Sequence, residues 1–128
     1  HVRLNAQTRG LITAADLARM RPDALFVNTS RAELVAEGAL VAALEQGHPG
    51  FAAVDVYEAE PVLGAQHPLV QHPQALCTPH IGYVERDNYE LYFGSAFDSL
   101  NAFAAGQSTS LVNPEVLTTD RYKNLQGV

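Results

Sequence analysis

The sequence has a single cysteine, Cys77, so no internal disulfide can form, as is typical of a protein from a reducing compartment. Charged residues make up only 17% of the chain, and its net charge of −6 is not concentrated in any block, which argues against a nucleic-acid-binding surface. The longest apolar runs, such as 24–27, are too short to span a bilayer, and no secretory leader opens the chain. These absences favour a cytoplasmic protein without membrane or nucleic-acid partners.

Patterns that bind metals or phosphates are also missing. His48, His67 and His72 each precede a proline, and no pair of them has the spacing of a helical zinc motif, so we expect no metal site. The chain contains no Gly-x-Gly-x-x-Gly segment, the motif that cradles dinucleotide phosphates.

Three continuous apolar runs predict three strands. They lie at 24–28, 51–56 and 75–78, and the 47% hydrophobic content of the chain suits a packed core. The first run lacks polar alternation, which is typical of a strand covered on both faces. Helical patterns lie between and before these runs, and strands that alternate with helices indicate an α/β fold with a parallel sheet.

Helix signals flank these strands. Thr13 and Asp16 form a capping-box pattern that begins a helix expected to reach Met20. A second helix is predicted over 37–46, with Gly47 as its left-handed terminator.

One long helix is predicted over 85–105, closed by Gly106. Its aromatic and aliphatic residues recur at helical spacing, and at 1.5 Å per residue it would be about 30 Å long, enough to cross a domain.

Three residues with useful chemistry, Arg31, Glu60 and His80, follow the three predicted strands. In parallel sheets ligands bind beyond the carboxyl ends of the strands, so we expect these residues to lie together. An arginine can hold a carboxylate through two hydrogen bonds, and a histidine can exchange a proton near neutral pH. Their segments are Asn28-Thr29-Ser30-Arg31, Asp55-Val56-Tyr57-Glu58-Ala59-Glu60-Pro61 and Thr78-Pro79-His80-Ile81-Gly82.

These segments, in this order, resemble the D-isomer-specific 2-hydroxyacid dehydrogenases, the family that includes phosphoglycerate dehydrogenase and glyoxylate/hydroxypyruvate reductase. The resemblance implies the C-terminal half of a Rossmann-type, parallel-sheet NAD(P)-binding domain over 1–84. It further implies a long helix and return segment over 85–113, directed toward a substrate domain that is absent here, and a tail over 114–128. The family's phosphate-binding turn is expected to precede His1, so the 128 residues alone should be inactive.

The resemblance also implies an NAD(P)-dependent oxidoreductase that transfers a hydride between the cofactor, NAD or NADP, and a D-2-hydroxy acid or 2-keto acid. Arg31 would anchor the substrate carboxylate, His80 would act as acid and base, and Glu60 would hydrogen-bond the other ring nitrogen of His80. A homodimer is expected. The cofactor-binding residues implied are Val2, Thr29, Ser30, Arg31, Asp55, His80 and Gly82.

Asp55 and Glu58 compete with Glu60 for the role of histidine partner. The motif match assigns Glu60 to that role and Asp55 to the nicotinamide amide, and it leaves Glu58 to solvent.

Two alternatives lie within the same superfamily. The C-terminal-binding-protein corepressors retain such residues but use the dinucleotide to control assembly, so the motifs alone do not exclude that role. Formate dehydrogenases lack the glutamate partner of the histidine, so Glu60 argues against that activity.

Overall fold

The computed structural model describes residues 1–107 and 111–120. The chain divides into two compact units, His1–Tyr83 and Val84–Val128. In the part of the chain that the structure describes, no helix is long and apolar enough to cross a membrane.

The first unit contains a three-stranded sheet. The strands are β1 (Leu25–Asn28), β2 (Phe51–Val54) and β3 (Ala75–Cys77), and β2 lies between the other two. Both pairings are parallel, which confirms the predicted α/β fold and sheet type. Each strand is one or two residues shorter than its apolar run.

Three helices accompany this sheet, namely α1 (Ala14–Leu17), α2 (Ala39–Glu45) and α3 (Pro68–Gln71). The capping box predicted before α1 is present, but this helix ends earlier than expected. After α2, Gly47 has a φ of 77°, the left-handed conformation that glycine adopts without cost, so its predicted role is confirmed.

The helix α3 was not predicted, because its segment reads as a loop rich in proline and histidine. It begins with Pro68, whose fixed φ suits the first helical position. The side chain of His67 accepts a hydrogen bond from the N–H of Leu69, which caps the helix.

The core of this unit lies on one face of the sheet. Leu17, Leu40 and Leu69 of the three helices pack with Ala52 and Val54 of β2 in one buried cluster.

Alternate residues of the strands point to the opposite face, where Leu25 and Val27 are 56% and 57% exposed. The expectation that the first strand is covered on both faces is therefore wrong for this unit. Its helices lie on one side of the sheet, and a continuous apolar run does not reveal which side is covered.

The second unit contains α4 (Arg86–Ala104), which confirms the long helix to within one residue at each end. Its apolar residues, including Phe93 and Phe97, are exposed. A short 3₁₀ helix, Pro114–Thr118, lies within the predicted tail. The rest of that tail beyond residue 120, and residues 108–110 of the predicted return segment, lie outside the described residues.

Candidate active site

The loop after β1 is shaped by the buried side chain of Asn28. Its Nδ2 donates to the carbonyl oxygen of Arg31 at 2.9 Å, and its Oδ1 accepts from the N–H of Ser30 at 3.0 Å. Such side chain–backbone bonds close a turn locally. They fix the backbone from which the exposed Arg31 side chain extends.

The loop after β2 holds Glu60 through the backbone. Its Oε1 accepts from the N–H of Tyr57 at 2.8 Å. The buried Tyr57 hydroxyl donates to the carbonyl oxygen of Thr78 at 3.0 Å, which ties this loop to the loop after β3. Burial, followed by the neighbouring Cys77, raises the pKa of this hydroxyl, so it remains a donor.

The loop after β3 brings His80 to Glu60. The distance from Nδ1 of His80 to Oε2 of Glu60 is 2.6 Å, which confirms the contact predicted between them. The His80 and Glu60 side chains are 35% and 33% exposed. The other ring nitrogen, Nε2, has no hydrogen-bond partner among the described residues, so it is the atom that a ligand can reach.

The backbone of His80 adopts the left-handed region, with a φ of 55°. Few residues other than glycine do so, although histidine tolerates this region better than most. A residue keeps such a conformation only when its surroundings hold it, and such residues cluster at functional sites. The loop around His80 must therefore be held firmly.

The carboxylate of Asp55 holds this loop. Its Oδ1 accepts from the hydroxyl of Thr78 and from the N–H of Ile81 at 2.8 Å, and its Oδ2 accepts from the N–H of Gly82 at 2.7 Å. Burial acts to raise the pKa of Asp55, but the three hydrogen bonds outweigh it and lower that pKa. A Cβ at position 82 would come within 3.0 Å of Oδ2, so glycine permits this close approach.

The pKa of Glu60 is shifted by groups in both loops and by Arg31. The hydrogen bond with His80 and then that from Tyr57 hold the pKa of Glu60 below its usual range, against a weaker effect of partial burial. The charges of His80 and Arg31 lower this pKa further, so the guanidinium lies within electrostatic range of the carboxylate.

A cleft of about 570 Å³ opens beside the pair. Glu60 and His80 lie on its wall together with apolar side chains that include Val62 and Val70. Arg31 does not line this cleft, so the expectation that all three residues share one cleft is met by Glu60 and His80 only. Cys77 is a half-buried free thiol on the same wall.

A second cleft, of about 490 Å³, lies on the β1 side. It is lined by Val2, Thr29 and Ser30 and by apolar residues such as Leu11 and Val27. The hydroxyl of Ser30 donates to the carbonyl oxygen of Val2 at 3.4 Å, so two of the segments predicted to hold cofactor lie against each other. A lining that combines a few hydroxyls with mainly apolar side chains suits a nucleotide ring.

Sequence reasoning missed the partner of Glu58. The side chain of Glu58 is 48% exposed, which agrees with the expectation that it is solvated. Its Oε2 nevertheless lies 3.0 Å from Nε2 of His67, and the ring of His67 packs edge-on against Tyr57. This contact was not predicted, because the loop folds back to bring a residue nine positions later beside Glu58.

The other histidines have structural partners. Nδ1 of His48 lies 3.0 Å from the carbonyl oxygen of Met20, and Nδ1 of His72 accepts from the N–H of Gln74. Within residues 1–107 and 111–120, no three histidine, cysteine, aspartate or glutamate side chains are grouped to hold a metal ion.

Comparison with known proteins adds an independent line of evidence. Residues 1–82 match the family model described as "D-isomer specific 2-hydroxyacid dehydrogenase, NAD binding domain". A glyoxylate reductase from Aeropyrum pernix is 39% identical over 118 residues, which are 91% of this chain and 35% of that protein.

Solved structures agree with this match. An oxidoreductase from Ralstonia solanacearum, assigned as a candidate D-3-phosphoglycerate dehydrogenase, is 55% identical with a TM-score of 0.83, over 93% of this chain and 35% of that one. A D-isomer specific 2-hydroxyacid dehydrogenase from Xanthobacter autotrophicus, in complex with NADPH and MES, is 33% identical with a TM-score of 0.61, over 88% of this chain and 44% of that one. The chain thus spans less than half the length of each relative.

Proposed function

Because this chain belongs to the D-isomer specific 2-hydroxyacid dehydrogenases, whose NAD-binding domain its residues 1–82 match, we propose that it forms the catalytic edge of an enzyme that interconverts 2-keto acids and D-2-hydroxy acids. The observation that carries the proposal is the 2.6 Å contact between Oε2 of Glu60 and Nδ1 of His80, beside a cleft and within electrostatic range of Arg31. Both neighbouring clefts adjoin these loops.

His80 is the proposed acid and base. With Nδ1 bonded to Glu60, Nε2 is the nitrogen left to exchange a proton with the substrate oxygen. It would donate that proton to the keto oxygen during reduction and remove it from the hydroxyl during oxidation. Glu60, fixed by the N–H of Tyr57, would orient the ring and stabilise the positive charge that His80 carries before it donates.

Arg31 is the proposed anchor of the substrate carboxylate. A guanidinium can bind both carboxylate oxygens through parallel hydrogen bonds, which sets the orientation of the neighbouring keto group. Asn28 holds the backbone of Arg31, and the exposed guanidinium donates through one Nη to the carbonyl oxygen of Ser30 at 2.6 Å, a bond that it would exchange for the substrate carboxylate.

The nicotinamide cofactor fits the cleft beside β1. Val2, Thr29 and Ser30 line this cleft and would hold the cofactor there. By the family resemblance, Arg31 would also contact it, and Asp55, His80 and Gly82 would face its nicotinamide end. When bound, it supplies or accepts the hydride at the substrate carbon. NAD and NADP are both open, since the Xanthobacter autotrophicus relative binds NADPH. We further propose a cytoplasmic location, in keeping with the free thiol of Cys77, and a homodimer, on the family resemblance alone.

Turnover of a panel of 2-keto acids by the full-length protein, with NADH and with NADPH and with glyoxylate and hydroxypyruvate in the panel, tests the proposal. We expect stereospecific formation of the D-2-hydroxy acid. Nucleotide binding without turnover of any keto acid would overturn it and would favour the corepressor-like alternative.

Substitution of Arg31 by lysine tests the proposed anchor. A lysine keeps the charge but loses the two-pronged geometry, so KM for the keto acid should rise by about tenfold or more and turnover should fall. If both constants stayed at the wild-type values, Arg31 would have no part in substrate binding.

A further inference from the structure

Two polar side chains are buried in the part of the chain that the structure describes, Asn28 at 9% and Asp55 at 3% exposure. They are neighbours across the sheet: Asn28 is the last residue of β1, Asp55 follows the last residue of β2, and the N–H of Asp55 donates to the carbonyl oxygen of Asn28 at 3.0 Å. Burial of a polar group costs free energy unless it is hydrogen-bonded, so their partners show what each one stabilises.

The partners of the two side chains lie in different loops. Asn28 bonds only to the loop that carries Arg31, with one donor and one acceptor. Asp55 bonds only to the loop that carries His80, with three donors.

The bonds to Asp55 match the unusual backbone of His80. Two successive N–H groups, those of Ile81 and Gly82, converge on the carboxylate. A left-handed residue before such a pair turns consecutive N–H groups toward one anion. The carboxylate thus stabilises the conformation that directs the His80 ring to Glu60.

We infer that Asn28 and Asp55 are two positioning residues that act separately, Asn28 through Arg31 on substrate binding and Asp55 through His80 on proton transfer. The kinetic part of this inference rests on the proposed function. It adds to Asp55 a role that is independent of any contact with cofactor.

Exchanging the two side-chain types gives a nearly isosteric test. In Asp55→Asn, the amide oxygen can replace only one carboxylate oxygen, so the N–H of Ile81 or Gly82 faces an NH₂ group. In Asn28→Asp, the bond from Ser30 survives, but a carboxylate oxygen faces the carbonyl oxygen of Arg31. Each exchange disturbs one loop. Asp16→Asn is the matched control, because Asp16 is also hydrogen-bonded but belongs to the capping box of α1.

Steady-state kinetics of the three variants separate the two roles. We expect Asp55→Asn to lower kcat by about 10²-fold, since small misplacements of a catalytic group have effects of that size. Asn28→Asp should raise KM for the keto acid by about tenfold and change kcat less. Asp16→Asn should change neither constant. If both site variants behaved like Asp16→Asn, with constants per folded enzyme unchanged, the inference would be wrong.

NMR of the full-length protein without nucleotide gives a readout that does not depend on turnover. The Nδ1–H of His80, held by Glu60, should give a downfield proton signal that is lost or shifted in Asp55→Asn and kept in the other two variants. The Nε–H signal of Arg31 should shift in Asn28→Asp alone. If these signals change as expected while the wild type reduces no keto acid, the positioning roles stand and the proposed function fails. An unchanged His80 signal in Asp55→Asn, with weaker NADH binding, would leave Asp55 as a cofactor contact only.

Discussion

Two histidine–glutamate pairs lie within one short region of the described residues, and only one of them leaves a ring nitrogen open to a ligand. Oε2 of Glu60 lies 2.6 Å from Nδ1 of His80, and Oε2 of Glu58 lies 3.0 Å from Nε2 of His67. The two glutamates are two residues apart, so composition and spacing do not distinguish them.

The difference lies in the second ring nitrogen. Nδ1 of His67 accepts from the N–H of Leu69 at the start of α3, so both of its nitrogens are engaged. Within the described residues, Nε2 of His80 has no such partner, and its side chain is 35% exposed against 18% for His67. A histidine–carboxylate pair can therefore transfer protons to a ligand only when its outer nitrogen is both free and accessible.

Removal of the two imidazoles should give the largest contrast. His80→Ala should lower turnover by roughly 10²–10⁴-fold, the usual contribution of a general acid or base. Cofactor binding should change little. The measurement is kcat with the preferred keto acid, alongside the Kd for NADH.

His67→Asn is the matched comparison, because asparagine can still cap α3. Its turnover should stay near that of the wild type. His80→Asn guards against misfolding at position 80, since asparagine also tolerates the left-handed backbone. Equal losses of turnover in the His67 and His80 variants would remove the distinction between the pairs.

Neutralising the two glutamates should give a smaller contrast. In Glu60→Gln, an amide replaces the carboxylate that orients His80, so kcat should fall by about 10- to 100-fold. Glu58→Gln should leave kcat nearly unchanged. Steady-state assays of both variants would decide, and a kcat loss in Glu58→Gln as large as that in Glu60→Gln would contradict the assignment.

For stability, the order of the two histidines should be reversed, with His67 more important than His80. His67→Ala removes a helix cap worth about 1 kcal/mol, and for a domain of this size that corresponds to a Tm lower by about 4–8 °C. His67→Asn should recover much of that loss. Thermal unfolding followed by circular dichroism checks it, and an unchanged Tm in His67→Ala would show that the cap does not contribute.

Acid should weaken the pair of Glu60 and His80 in a measurable but small way. The folded-state pKa values of Glu60 and Asp55 are lowered, mainly by His80 for Glu60 and, against burial, by hydrogen bonds for Asp55. A carboxylate whose pKa is lower in the folded state stabilises the fold at pH values above its unfolded-state pKa. This stabilisation is lost as the pH falls below about 4. Unfolding free energies should therefore fall with acid less steeply in Glu60→Gln than in the wild type. Parallel curves would show that Glu60 contributes nothing to the pH dependence.

The sequence predicted the sheet and the long helix because their signals are local. Apolar runs marked the three strands, and alternation with helices gave their parallel pairing. The helix α3 was missed although Pro68 after His67 is a recognisable start, because four helical residues carry no periodicity. Strand ends were displaced because they depend on which neighbours form hydrogen bonds.

Only those parts of the site whose residues belong to a sequence motif could be predicted. The placement of their segments after neighbouring strands predicted that Glu60 and His80 lie together, and the motif match selected Glu60 over Asp55 and Glu58 as the partner of His80. The side-chain hydrogen bonds of Asn28 and Asp55 depend on how the loops fold onto the sheet, and no sequence pattern predicts them. The pairing of Glu58 with His67 likewise depends on the path of the intervening loop.

The left-handed backbone of His80 limits how this site can be redesigned. In a library that samples every amino acid at position 80, the backbone conformation would limit which residues are tolerated before their catalytic chemistry could matter. For most residues, the left-handed conformation would cost about 1–2 kcal/mol of free energy, and this cost would be smallest for glycine, asparagine and aspartate. None of these three offers a group that is protonated near neutral pH and can release its proton to a substrate. An engineer who wants a lysine or tyrosine as the acid must therefore first rebuild the turn that presents it.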